Sequence, residues 1–229
     1  MLRQLVRYPV KVTTSDLRLH LLAVIVTGTT LIACVDTVRT ESFSDPTLPA
    51  PQWHLYGGLE IGYSLALPRT WSAFDLNTQL DLAISTCSRD ESLKRARRPQ
   101  ITNLHDRGVR LFACDQSRDG DASLPVAYAV TGTAPAEPLD KYLDNQKQAA
   151  GREVVQRRHF RTNAGDMVLQ DVRERLTAND GTVIDTTQRQ FLVVRFSSLH
   201  LFIVEIPTAL FEAVANDAEI MGTSFTPVR

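Results

Sequence analysis

At 229 residues the chain has room for one well-filled core, and 43% apolar with 22% charged residues is an ordinary globular composition. That excludes collagen-like, coiled-coil and wholly disordered classes. A formal net charge of −1 gives no basic excess with which to hold nucleic acid.

Residues 1–20 are basic and irregular, and residues 21–33, LLAVIVTGTTLIA, are uncharged and mostly aliphatic. A helix of that length spans about 20 Å at 1.5 Å per residue, short of the ~30 Å hydrocarbon core. A basic stretch ahead of such a run reads as a secretory signal peptide. Its end, Leu31, Ile32, Ala33 and Cys34, resembles the bacterial lipobox, an aliphatic pair and a small residue before cysteine. The resemblance implies that Cys34 takes a diacylglycerol and becomes the first residue after cleavage, so that 1–33 are lost. Acyl chains there anchor firmly, because each buried CH₂ contributes about 0.8 kcal/mol. Of the 25 basic and 26 acidic residues, four and one lie in 1–33, so the exported part holds 21 against 25, a net −4.

Residues 34–52 form the lipidated cysteine and a tether rich in Ser, Thr, Asp and Pro, without apolar period. Val35, not aspartate, follows the cysteine, which resembles the outer-membrane sorting pattern of hosts with two membranes. The expected location is the cell membrane or outer membrane, lipid-anchored and facing outside the cytoplasm.

Residues 53–229 read as one domain. Gly62–Pro68 alternates as a first strand and stops at proline, and Trp71 and Phe74 follow in a turn. From Asp75 to Ala96, Leu76, Leu80, Ala83, Ile84 and Cys87 make one helical stripe, with a solvated basic tail ended by Pro99. Strands follow at Gly108–Asp115 and Pro125–Gly132, then a helix at Leu139–Ala150. A meander comes next: Arg152–Arg161, Met167–Leu176, Thr182–Phe196 and Leu199–Ile206, with glycine-containing turns and a last joint at Ser197 and Ser198. A helix over Thr208–Thr223 carries Leu210, Phe211, Val214, Ala218 and Met221 on one stripe, which Phe225 continues. About seven strands and three helices outside the sheet predict an α+β fold with a mainly antiparallel sheet.

Two stretches, LALPRTW with its strand-ending Pro68, and the apolar strand LHLFIVEIP with the helix and Ser224-Phe225 after it, resemble the PsbP-like family. The resemblance implies an α/β/α sandwich and a non-enzymatic partner or assembly factor. It carries over no binding residue.

The chemistry-bearing residues are few. Asp115, Ser117, Asp119 and Asp121 alternate around Gly120 like the first half of a calcium loop, yet Val126 stands where the bidentate glutamate belongs. A solvated hairpin loop is the plainer reading, and neither a metal nor a cofactor is expected. Cys87 and Cys114 remain once Cys34 goes to lipid. They form either a disulfide, which export permits, or two small buried thiols. His54, His105, His159 and His200 are scattered, without a zinc or nucleophile motif. The runs Lys94-Arg95-Ala96-Arg97-Arg98 and Arg157-Arg158-His159 read as solvated faces. These features predict a membrane-anchored, non-catalytic binding or assembly domain with an unidentified protein partner. The alternatives are a carrier with a pocket between sheet and helix, lined by Trp53, Tyr56, Tyr63, Trp71 and Phe74, and an unrecognised hydrolase.

Overall fold

The computed structural model describes residues 40–42, 52–88, 91–117, 124–146, 152–177 and 183–228. The signal segment, Cys34, and Asp119 and Asp121 of the calcium-like loop lie outside these residues.

Eleven strands are described: β1 Thr40–Ser42, β2 Trp53–Gly58, β3 Tyr63–Pro68, β4 Trp71–Asp75, β5 Leu111–Asp115, β6 Val126–Thr133, β7 Arg152–Thr162, β8 Gly165–Thr177, β9 Val183–Arg195, β10 Ser198–Pro207 and β11 Thr226–Pro227. The helices are α1 Leu76–Thr86, α2 Glu91–Asp106, α3 Leu139–Gln146 and α4 Phe211–Ser224, the last entered by a 3₁₀ turn at Thr208–Leu210. The main sheet runs β1-β7-β8-β9-β10-β6-β5-β4, and a small one runs β11-β3-β2. All pairs are antiparallel except β1 with β7. The expected α+β class with a mainly antiparallel sheet is therefore the observed one.

Side-chain alternation divides the main sheet into two faces. On one, Leu169, Phe191 and Phe202 pack with Val214 and Met221 of α4 and with Leu65 and Leu67 of β3. On the other, Phe112, Cys114 and Val126 meet Ile84 of α1 and Ile101 of α2, and Val168, Leu192 and Leu199 meet Leu143 of α3. Helices thus cover both faces, the arrangement the resemblance implies. Phe225 stacks on Phe202 at 5.2 Å between centroids, extending the α4 stripe as expected.

Five expectations are corrected. Trp71–Asp75 is a strand rather than a turn. Trp71 is buried with the α4 face and Phe74 with the other, so both sides are apolar and the alternation disappears. The long helix is two, α1 and α2. Asp75 caps α1 by accepting from Asn77 N at 3.1 Å, and Cys87 closes it through its N–H to Ala83 O. Pro99 does not end the second helix but lies inside it. The proline removes one backbone donor, and burial of Ile101 and Leu104 beyond it carries the helix on. The last hairpin turns at Phe196-Ser197, one residue early, with φ of 53° and 59°. Finally, β2 precedes the first expected strand. Gly57 there, at φ +112°, leaves no room for a side chain: an added Cβ would lie 2.0 Å from Tyr63 O.

The tether also differs from its reading. Thr40–Ser42 pairs with His159–Arg161 as a parallel edge strand. Such pairing runs through backbone hydrogen bonds and needs no apolar period, so composition does not reveal it. Among the described residues no helix is long and apolar enough to cross a membrane.

Candidate functional site

The aromatic residues nominated as a carrier lining are core. Trp53, Tyr63, Trp71 and Phe74 are each no more than 8% exposed, and half-buried Tyr56 packs against the cluster that holds Trp53, Tyr63 and Trp71.

Cys87 and Cys114 are bonded in the structure, their Cα atoms 5.9 Å apart. The bond joins the end of α1 to β5, so it fixes that helix to the sheet. Asp115 is buried, and its carboxylate accepts from Ser117 N at 2.9 Å and Ser117 Oγ at 2.7 Å. Both described members of the calcium-like loop thereby form a local turn. Among the described residues no group of three His, Cys, Asp or Glu side chains could hold a metal.

In the first basic run Arg98 is exposed, as a solvated face requires, whereas Arg97 is not, and the second run is paired with acids. Arg97 is buried and donates to Leu124 O at 2.7 Å. Burial lowers its pKa, and nearby Glu205 opposes that shift. Arg157 reaches Asp144 at 2.9 Å and His159 reaches Asp140 at 3.3 Å on the α3 side, while Arg158 reaches Glu219 of α4 at 2.6 Å. His105 lies beside Asp106 at 3.2 Å in an exposed pair at the end of α2.

Two polar constellations were not legible as motifs. The first crosses the face opposite α4. Arg157 donates to Gln170 Oε1, Gln170 to Gln190 Oε1 at 2.8 Å, Gln190 to Gln188 Oε1 at 2.7 Å, and Gln188 to Glu174 Oε2 at 3.0 Å. The series runs from a cation to an anion, which fixes every amide's orientation. Near it, burial raises the pKa of Glu205, which Arg97 counteracts, and burial raises that of Tyr128.

The second constellation joins Tyr63, Thr131 and His200. Tyr63 Oη meets Thr131 Oγ1, Thr131 Oγ1 meets His200 Nδ1 at 3.3 Å, and His200 Nε2 meets Arg195 O at 3.2 Å. A carbonyl only accepts, so Nε2 carries the proton and Nδ1 accepts from Thr131. Thr131 then accepts from Tyr63, and the chain has one direction. Burial lowers the His200 pKa, in keeping with a neutral ring. Both ring nitrogens are committed, which makes His200 a structural group rather than a free base. Only the pairing of His200 with Thr131 across β10 and β6 brings them together, 69 residues apart in sequence.

Two clefts open on the surface. One of about 320 Å³ lies over Tyr63, Thr131 and His200, with Arg107 and Arg110 at its edge. The other, of about 660 Å³, lies at the ends of β7, β8 and β9 beside the start of α3. It combines apolar Leu139, Val168 and Val194 with the charged Asp140, Arg161 and Asp166.

No family model matches the sequence, and no curated protein matches it. Similar chain paths occur among solved structures. Cyanobacterial PsbP from Synechocystis is 12% identical with a TM-score of 0.42, over 81% of this chain and 98% of that one. The Ran-binding protein Mog1p of Saccharomyces cerevisiae is 11% identical with a TM-score of 0.46, over 77% and 95%. LpqN of Mycobacterium tuberculosis, involved in cell envelope biogenesis, is 10% identical with a TM-score of 0.43, over 78% and 91%.

Proposed function

We propose that the chain is a membrane-tethered, non-catalytic binding or assembly domain, anchored through lipid on Cys34 and working outside the cytoplasm. The observation that carries the binding role is the 660 Å³ cleft, where exposed Val194 adjoins charges of both signs at the open end of the sheet. Mixed apolar and charged lining in a wide cleft suits a protein surface. The lipobox residues Leu31–Cys34 support the address.

Two measurements test this reading. Labelling cells with a lipid precursor marks the wild type and not Cys34→Ala; an unlabelled wild type removes the anchor. Crosslinking from membranes with wild type and Val194→Asp then tests the cleft. The expected result is a defined protein adduct lost in the variant while lipid labelling persists. An adduct of equal yield in both proteins removes the cleft from the partner surface.

A further inference from the structure

We infer that the 320 Å³ cleft over Tyr63, Thr131 and His200 binds a small hydroxy-carboxylate, an acid that also presents an O–H donor. The hydrogen-bond direction at its floor decides the second requirement. The Tyr63 hydroxyl spends its proton on Thr131, and Thr131 spends its own on His200, whose Nε2–H is held by Arg195 O. What Tyr63 Oη has left is lone pairs, so the floor offers an acceptor and calls for a donor. A ligand without one leaves that oxygen desolvated and unmatched.

The edge decides the first requirement. Arg110 is engaged with Asp75, Nη2 to Oδ2 at 2.7 Å, and feels Glu60 besides. Arg107 lines the same cleft and has no ion-pair partner among the described residues. Its guanidinium is the cation left for a carboxylate, which it can take through paired N–H groups. The lining also includes the aliphatic side chains of Ile61, Val109, Val130 and Val228. The volume lies at the small end of the ligand-pocket range, about 300–1,000 Å³. An apolar body with a carboxylate at one end and a hydroxyl at the other matches all three surfaces. This inference stands apart from the tethering and from the larger cleft.

The probe is 4-hydroxyphenylacetate titrated into the full chain by calorimetry, with phenylacetate as the comparison lacking the hydroxyl. The hydroxy acid should bind about fivefold to tenfold more tightly than phenylacetate, the effect of one hydrogen bond. Arg107→Gln should weaken it about tenfold or more, as expected for a charge-assisted contact. Arg110→Gln should weaken it less. Tyr63→Phe keeps the ring in the core and should abolish the preference between the two acids. Binding of neither acid overturns the proposal, and so does equal binding by wild type and Arg107→Gln. Equal affinity of the wild type for both acids overturns the role of the Tyr63 oxygen and with it the hydroxy-acid assignment.

Discussion

Under α4 the main sheet presents Phe160, Leu169, Phe191 and Phe202, and the ion pair of Asp171 with Arg189 there is nearly dry, the side chains 3% and 5% exposed. On the opposite face, the middle of the same strands carries Gln170, Gln188 and Gln190, equally buried but bonded amide to amide. Similar burial is thus achieved in two ways. The α4 face takes its stability from apolar contact, which falls off gradually as shapes change. The amide face takes its order from direction. A one-residue slip of β8 against β9 would turn Gln170 to the face opposite Gln190 and break the series, so this face pins the register. The ion pair on the α4 face sits between these cases. Arg189 makes two bonds to Asp171 at 2.8 Å, donates to Ala215 O at 2.6 Å and lies over the Phe211 ring at 5.0 Å, which ties α4 to the sheet in one position.

The largest effect should come from the apolar side. Phe202→Ala removes a fully buried ring that contacts Phe225 and Phe191, and should cost about 4 kcal/mol in a denaturant titration. A cost under about 1 kcal/mol would mean that the α4 face is loosely packed and the contrast is false. Next, Asp171→Asn removes the doubly bonded counter-charge of buried Arg189, leaving it only Glu219 at 3.5 Å, and should cost about 3 kcal/mol. Adding Arg189→Met should recover part of that loss, because an apolar pair needs no desolvation of charge. If the double variant is less stable than Asp171→Asn alone, the Arg189 contacts to Ala215, Phe211 and Glu219 outweigh the cost of keeping its charge buried.

On the other face the effects should be smaller and of a different kind. Gln190→Leu removes two bonds and leaves Gln170 Nε2 without its acceptor and Gln188 Oε1 without one of its donors. About 2 kcal/mol is expected, the cost of stranded buried polar groups. The variant should also show faster amide exchange in β8 and β9, since the register pin is lost. A loss of stability with exchange unchanged would reduce the ladder to ordinary hydrogen bonding.

This contrast also explains what was readable in the sequence. Periodicity exposes a face whose partner is uniformly apolar, so the stripe Val214, Ala218, Met221 and its extension to Phe225 were legible, as was the strand Gly62–Pro68. Trp71 and Phe74, buried on opposite sides of one short strand, cancel the same signal. Arg97 carries no mark of burial, because its acceptor is a backbone carbonyl 27 residues away. Tyr63, Thr131 and His200 meet through strand register and packing across long sequence separations, and no local spacing encodes that. Sequence does not decide the pairing of Cys87 with Cys114 for a like reason: their distance depends on how α1 crosses β5.

The smallest expected effect tests whether the polar face carries an electrostatic cost that the α4 face avoids. Burial raises the pKa of Glu205 above its ordinary 4.5, with Arg97 and a hydrogen bond from Gln100 pulling it partly back. The folded chain therefore holds this proton to a higher pH than the unfolded chain does. The stability contributed by Glu205 is complete below about pH 4.5 and is lost as pH rises through the raised value. Most carboxylates act in the opposite sense, so total stability hides the effect and a difference is needed. Glu205→Gln keeps the shape and a hydrogen-bonding group but does not titrate. The stability of wild type minus that of the variant should fall between pH 4 and pH 7, measured by denaturant midpoints at each pH. A difference that rises over that window would mean that Arg97 more than offsets the burial of Glu205, making the pair a stabilising contact of the same kind as Asp171 with Arg189.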